Sequence, residues 1–122
     1  MTSRMTAGQR ERLDSLRRAY VKDLPARVRA IGEAAASLEP GDREKLQSLH
    51  HLVHRLTGSA AIYGFTGLSR AASALEALVY SALAGTAGFE PERGPSLADL
   101  VVALKSELAA ATASSQHGKG DA

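Results

Sequence analysis

Residues 42–64, DREKLQSLHHLVHRLTGSAAIYG, carry the pattern that decides the fold. Apolar side chains recur there at alternating steps of three and four, which places them on one stripe of an α-helix. These are Leu46, Leu49, Val53, Leu56, Ala60 and Tyr63. Asp42 stands where an N-cap is expected, and Gly64 and Gly67 supply a C-terminal stop. The stretch therefore predicts an amphipathic helix with one buried face.

Helical spacing also runs through the residues before this stretch. Thr6 and Gln9 resemble a capping box for a first helix over about 7–21. A second apolar pattern covers 22–38, where Asp23 is a candidate cap and Pro25 falls in the first turn. The spacing leaves open whether these are two helices or one kinked helix.

The residues after it predict two more helices. One begins at Thr66 or Gly67, after a short connection that favours an antiparallel hairpin. Residues 84–95 are rich in Gly and Pro and predict a loop, and Ser96 with Asp99 resembles a capping box for the last helix.

Together these patterns predict an all-α fold, an antiparallel four-helix bundle with an additional N-terminal helix. We expect an N-terminal tail at 1–6 and the bundle at 7–112. The polar residues 113–122 lose the apolar periodicity, which predicts a disordered C-terminal tail.

Composition narrows the class of protein. The chain has 122 residues, a net charge of +2 and no cysteine, so disulfides and thiolate metal sites are excluded. The chain contains no run of about 18 apolar residues, so no membrane span is predicted. The basic residues are dispersed and aromatic side chains are few, so we expect no nucleic-acid partner. We expect a cytoplasmic monomer, and an initiator-like Met1 with a polar end suggests a free-standing chain.

The histidines of the 42–64 helix are the candidate functional residues. At about 100° per residue, His54 lies roughly 130° from the apolar stripe and should face solvent. His50, Thr57, Gly58 and Ala61 share its exposed strip, because they lie four, three, four and seven residues away.

Gly58 is a destabilising residue inside a helix, where glycine lowers helix stability by about 1 kcal/mol relative to alanine. The gain would be a bare patch of helix beside His54, which lets the backbone of another protein approach closely. The alternatives are that Gly58 is simply tolerated at the surface or packs against a neighbouring helix.

Residues 54–64, HRLTGSAAIYG, followed by Leu68 and by Leu75-Glu76, resemble the signature of the histidine-phosphotransfer (HPt) domain family. That signature has a histidine, a leucine two residues later, then lysine, glycine and serine or threonine, small residues and a further glycine. A second helix carries a leucine-glutamate pair. The resemblance extends over about residues 6–112.

The resemblance implies that His54 accepts a phosphoryl group from one receiver-domain aspartate and passes it to another. Neutral imidazole is a competent nucleophile near pH 7, in agreement with that role. The implied partners are response-regulator receiver domains and a hybrid histidine kinase of a bacterial two-component phosphorelay. The chain itself would need no cofactor, because Mg²⁺ is expected on the receiver. It would be a phosphocarrier more than a self-sufficient enzyme.

Thr57 departs from the family pattern, which commonly has lysine there. A threonine hydroxyl brings no charge to a phosphoryl group. Arg70 is the candidate replacement cation on geometric grounds, and the alternative is that it belongs to an ordinary solvated surface.

Two other functions compete with phosphotransfer. His50 and His54 have the spacing of two metal ligands on one helix face, but no further ligand can be identified, so we expect no metal site. The second competing function, after metal binding, is that of a helical adaptor that docks on receivers or kinases without carrying phosphate. The uncharged Thr57 favours this interpretation. His51 and His117 are expected to be bystanders.

Overall fold

The structure, a computed structural model, describes residues 5–39, 41–85 and 96–120, with side chains as far as residue 113. Within these ranges the chain forms four α-helices and no strand. They are α1 (Ala7–Ala36), α2 (Arg43–Ile62), α3 (Thr66–Ala84) and α4 (Leu97–Gly120). The predicted all-α class is confirmed.

The helices form an antiparallel bundle in which each helix packs on its neighbours in the chain and α4 returns to pack on α1. The α2–α3 pair has the most extensive contact, whereas α4 does not touch α2 in the parts of the chain described. One face of α2 is therefore free of the other helices.

The core takes one apolar stripe from each helix, and no polar or charged side chain is buried among the described residues. The stripe of α2 is the one predicted from its spacing. The largest fully buried side chains are Leu24, Ile31, Leu49, Leu56, Leu68, Leu75, Leu104, Val28, Val53 and Val79.

The additional N-terminal helix is a wrong prediction, because α1 runs without interruption through Pro25. Proline inside a helix costs about 3 kcal/mol, since it removes a hydrogen bond and crowds the preceding turn. Leu24 and Val28 are both buried, so the apolar stripe continues across the proline, while Pro25 itself is exposed. Burial of side chains on both sides offsets the cost and keeps the helix in one piece.

The first half of α1 extends beyond the core. Residues 5–19 are all exposed, including Leu13 and Leu16 at 43% and 51%, and burial begins only at Tyr20. The predicted helix is present, but its first apolar positions have no described partner. At 1.5 Å per residue, the segment from Ala7 to Tyr20 is about 20 Å long.

The predicted starts of α1, α2 and α4 are confirmed, whereas Asp23 lies inside α1 and does not cap a separate helix. Thr6 and Gln9 form a capping box at α1. The Asp42 carboxylate accepts a hydrogen bond from the Lys45 amide at 3.1 Å. Ser96 and Asp99 exchange reciprocal bonds before α4, with the Asp99 amide donating to the Ser96 hydroxyl at 3.1 Å.

Gly64 shapes the turn between α2 and α3. Its φ of +83° is a left-handed conformation that favours glycine. The Phe65 amide then donates to the Ala60 carbonyl at 2.8 Å and the Gly64 amide to the Ala61 carbonyl at 3.1 Å. This pattern is a Schellman motif, which ends α2 and starts α3 antiparallel to it.

The end of the chain differs from the predicted disordered tail at 113–122, because the backbone of α4 is helical as far as Gly120. Alanines at 109, 110, 111 and 113 have high helix propensity, and extending an existing helix costs little. Of the predicted loop at 84–95, residues 86–95 lie outside the described residues. None of the described helices is long and apolar enough to cross a membrane.

An aromatic cluster holds α1 against the α2–α3 turn. The Tyr20 ring stacks on Tyr63 at 4.5 Å between centroids, and Phe65 lies at 6.0 Å. The Tyr20 hydroxyl is 2.6 Å from the Ser59 hydroxyl. Because Ser59 can donate to the Leu56 carbonyl at 3.4 Å, Tyr20 is the natural donor in this pair. Ser59 thus has a packing role that anchors α2 to α1.

We predict that Tyr20→Phe lowers the free energy of unfolding by about 1 kcal/mol, because the ring stays while the hydrogen bond to Ser59 is lost. Urea denaturation measures this, with the exposed Tyr80→Phe as the matched control.

Burial raises the pKa of Tyr20 above its ordinary value of 10.0. Stability should therefore fall in wild type as the pH rises above 10, and Tyr20→Phe should remove that part of the fall. If Tyr20→Phe has the same free energy of unfolding as the control Tyr80→Phe, the hydrogen bond from Tyr20 to Ser59 has no stabilising role.

Candidate functional site

His54 lies in the middle of α2, beside α3, and its side chain is largely open to solvent. Its neighbours Val53 and Leu56 are buried at 0% and 1% exposure, whereas the His54 side chain is 67% exposed. The predicted orientation toward solvent is confirmed. A rigid helix therefore presents this imidazole to any approaching protein.

Glu76 on α3 fixes the orientation of the His54 ring. Its Oε2 atom lies 2.6 Å from His54 Nδ1. A carboxylate accepts hydrogen bonds, so Nδ1 carries the proton and donates it. In the neutral ring the unprotonated nitrogen is then Nε2, which has the lone pair needed for attack on an electrophile.

Sequence reasoning did not assign Glu76 to the site. Glu76 belongs to the leucine-glutamate pair of the quoted motif, and this was the signal that could have identified it. Helical periodicity gives the face of each helix but not the register between two helices. Leu75 is fully buried against the core, so Glu76 beside it lies at the edge of α3 that faces α2.

His50 lies one turn before His54 and shares its carboxylate partner. His50 Nε2 is 3.8 Å from Glu76 Oε2, and the two imidazole rings are nearly parallel with centroids 5.9 Å apart. The ring of Tyr80 on α3 lies 6.2 Å from the His50 ring. His50 was predicted to neighbour His54, and the structure brings the two together with Glu76.

Gly58 leaves open space one turn after His54. A Cβ atom built at Gly58 would meet no atom within 4 Å apart from its chain neighbours and the nearby backbone of α2. The alternative that Gly58 packs against a neighbouring helix is therefore wrong for the part of the chain described. Ala61, one turn further, is also exposed and has a small side chain.

The Thr57 hydroxyl is turned onto its own helix. It donates to the Val53 carbonyl at 3.0 Å, so its proton is not directed toward His54. The Thr57 carbonyl accepts a hydrogen bond from the Ser69 hydroxyl of α3 at 2.9 Å. Thr57 thus helps to join α2 to α3.

Arg70 is exposed near the start of α3, and it makes no ion pair or hydrogen bond among the described residues. It follows Ser69, which bonds to Thr57, so its backbone lies at the level of α2 one turn beyond His54. Its role as a replacement cation stays a prediction.

His51 is exposed and makes no contact with Glu76 in the part of the chain described. It lines an open depression whose other lining residues are Glu44, Gln47, Ser48, His50 and Leu83. Within the described ranges, no group of three His, Asp or Glu side chains has the geometry to hold a metal ion.

Comparison with known proteins gives one family. A family model described as the Hpt domain matches residues 11–114. No match is found among curated proteins or among solved structures. Because the matched range contains most of the chain, including His54 and Glu76, this chain belongs to the Hpt domain family, whose members carry out histidine phosphotransfer in phosphorelays and interact with receiver domains and kinases.

Proposed function

We propose that His54 is the phosphoryl acceptor and that this chain relays a phosphoryl group between aspartates of two receiver domains. One observation carries the proposal: an imidazole that is 67% exposed and donates from Nδ1 to Glu76 at 2.6 Å. A ring held in this way keeps Nε2 unprotonated and accessible, as a nucleophile in solvent contact requires.

The transfer step follows from this tautomer. The Nε2 lone pair forms a bond to phosphorus while the bond from phosphorus to the receiver aspartate oxygen breaks, and that electron pair leaves with the aspartate carboxylate. The Nδ1 proton stays on the ring, so the ring gains positive charge. Glu76 balances this charge from 2.6 Å. In the second transfer an aspartate oxygen attacks phosphorus, and the ring leaves in its neutral form.

The neutralisation of the phosphoryl oxygens must come mainly from the partner. Phosphoryl transfer depends on in-line positioning and charge neutralisation, to which Mg²⁺ usually contributes. Thr57 brings no charge and its hydroxyl proton is committed to Val53. We therefore assign Mg²⁺ to the receiver, and this chain acts as a phosphocarrier rather than as a self-sufficient catalyst.

The surface around His54 suits transient docking. Gly58 and Ala61 expose nearly bare helix, which allows a partner backbone to approach. Arg55 and Arg70 are exposed cations that complement an acidic receiver rim and speed encounter at low salt. A small and reversible interface is what a shuttle between partners needs. We propose a hybrid histidine kinase as the upstream partner, and a cytoplasmic monomer as the working form.

We predict that His54→Gln abolishes labelling by a phosphorylated receiver, because glutamine has no nucleophilic ring nitrogen. The assay follows transfer of radioactive phosphate from the receiver and the acid lability of the bond formed, since phosphohistidine is acid-labile. His51→Gln is the matched control and should be labelled like wild type. If wild type itself takes no label from any receiver that binds it, the chain is an adaptor and the proposal fails.

We predict that Glu76→Gln slows transfer about tenfold, because a charge-assisted hydrogen bond is replaced by a neutral one, a loss of about 1.4 kcal/mol. Stopped-time labelling against one receiver measures the rate, and ¹⁵N NMR of the imidazole reports the share of the Nδ1–H tautomer. Glu33→Gln, an exposed change on α1, is the control. An unchanged rate and tautomer in Glu76→Gln would remove Glu76 from the mechanism.

We predict that Gly58→Ala raises the free energy of unfolding by up to about 1 kcal/mol while it slows transfer. Gly58→Gln should slow transfer further, because its longer side chain fills the space beside His54. Ala103→Gln adds the same side chain at an exposed site of α4 and should leave the rate unchanged. Faster or equal transfer in both Gly58 variants would show that the open space has no role in docking.

A further inference from the structure

We propose that His50 is a positioning residue: it competes with His54 for the Glu76 carboxylate, and its own protonation weakens the hold of Glu76 on the reactive ring. The proposal rests on the proposed function of His54. It adds a second histidine, whose protonation makes the transfer rate depend more steeply on pH than a single imidazole would.

Both rings approach the same carboxylate oxygen, so they share the negative charge of Glu76. Glu76 Oε2 lies 2.6 Å from His54 Nδ1 and 3.8 Å from His50 Nε2. The first distance is a short hydrogen bond, whereas the second is an approach without one. A movement of roughly 1 Å would bring His50 Nε2 into hydrogen-bond range of the same oxygen.

The proton on His50 decides which arrangement is favoured. With His50 neutral, His54 alone holds the carboxylate through its Nδ1–H. With His50 protonated, a full positive charge stands beside Oε2, and a charge-assisted bond to it is stronger than a bond from a neutral ring. Imidazole is the side chain that ordinarily gains its proton between pH 5 and 8, so the test varies the pH across this range.

The surroundings of His50 leave Glu76 as its only described anionic contact. From α3, Glu76 and the Tyr80 ring face it. From its own helix, His54 stacks on it, and Glu44 and His51 line the adjoining depression. Within the described ranges α1 makes no ion pair, hydrogen bond or ring contact with His50, and α4 does not reach α2. Glu44 lines this depression together with His50 but makes no ion pair with it in the part of the chain described.

The consequence for transfer follows from charge. The His54 ring becomes positive as Nε2 bonds to phosphorus, and Glu76 stabilises that charge. A protonated His50 neutralises part of Glu76 and repels the positive ring, so transfer into His54 slows. The Tyr80 ring lies beside His50 on the α3 side, with its centroid 6.2 Å away.

The test compares three proteins with one phosphorylated receiver between pH 5.5 and 8, so that the pH dependence of the donor cancels in each ratio. His50→Phe keeps a ring between His54 and Tyr80 but takes no proton. We expect it to transfer like wild type at pH 8 and about fivefold faster than wild type at pH 5.5. His50→Lys is cationic throughout, and should be about fivefold slower than wild type at pH 8. A ratio of His50→Phe to wild type that does not change with pH would overturn the proposal.

A second readout needs no phosphate. In ¹⁵N NMR titrations of the wild-type protein, the Nδ1 signal of His54 should respond to two protonation steps, and in His50→Phe to one. A one-step titration of His54 in wild type would overturn the proposal even if transfer is normal. By contrast, if wild type takes no label from the receiver, phosphotransfer is ruled out but the two-step titration of His54 can still be observed. The failure of the proposed function and the failure of the His50 proposal can therefore be told apart.

Discussion

The register between α2 and α3 decides whether a carboxylate meets the imidazole of His54. Gly64 sets this register, because its left-handed conformation closes the turn within three residues of the end of α2. The Ser69 hydroxyl then joins the Thr57 carbonyl at 2.9 Å and keeps the helices aligned along the next turns. A slip by one residue would carry Glu76 about 100° around α3 and away from His54. The chemistry of the site is thus set by the same contacts that make the hairpin.

The second constraint is that, within the described ranges, no ion pair or hydrogen bond holds a lysine or arginine against the reactive ring. Thr57 is neutral and bonded to its own backbone, and the exposed Arg70 has no described partner that would hold it toward His54. Glu76 and His54 form a pair suited to hold and orient a nucleophile. The protein therefore organises the attacking atom and leaves the phosphoryl oxygens to the partner, a division of work that fits a carrier.

The sequence allowed the exposed face of α2 to be predicted because its stripe is strict and its caps are clear. Val53 and Leu56 fix the buried side, so the position of His54 followed from helical geometry alone. Glu76 was not assigned because periodicity within a helix carries no information about the register between helices. The separate N-terminal helix was predicted wrongly for another reason. The tendency of Pro25 to break a helix is outweighed by the buried apolar stripe that continues on both sides of it. Leu13 and Leu16 show the converse, since apolar side chains at helical spacing are exposed here at 43% and 51%.

The exposed first half of α1 and its buried second half differ in the substitutions that they can tolerate. From Tyr20 onward, substitutions must respect the volume of the core and the contact with Ser59. Before Tyr20 every described side chain is exposed, but the Arg17 guanidinium lies 4.5 Å from the centroid of the Phe65 ring and so shares the contact of α1 with the α2–α3 turn. At the other positions of this half, substitutions are limited mainly by helix propensity and solubility, and they leave the spacing of His54 and Glu76 at the site undisturbed.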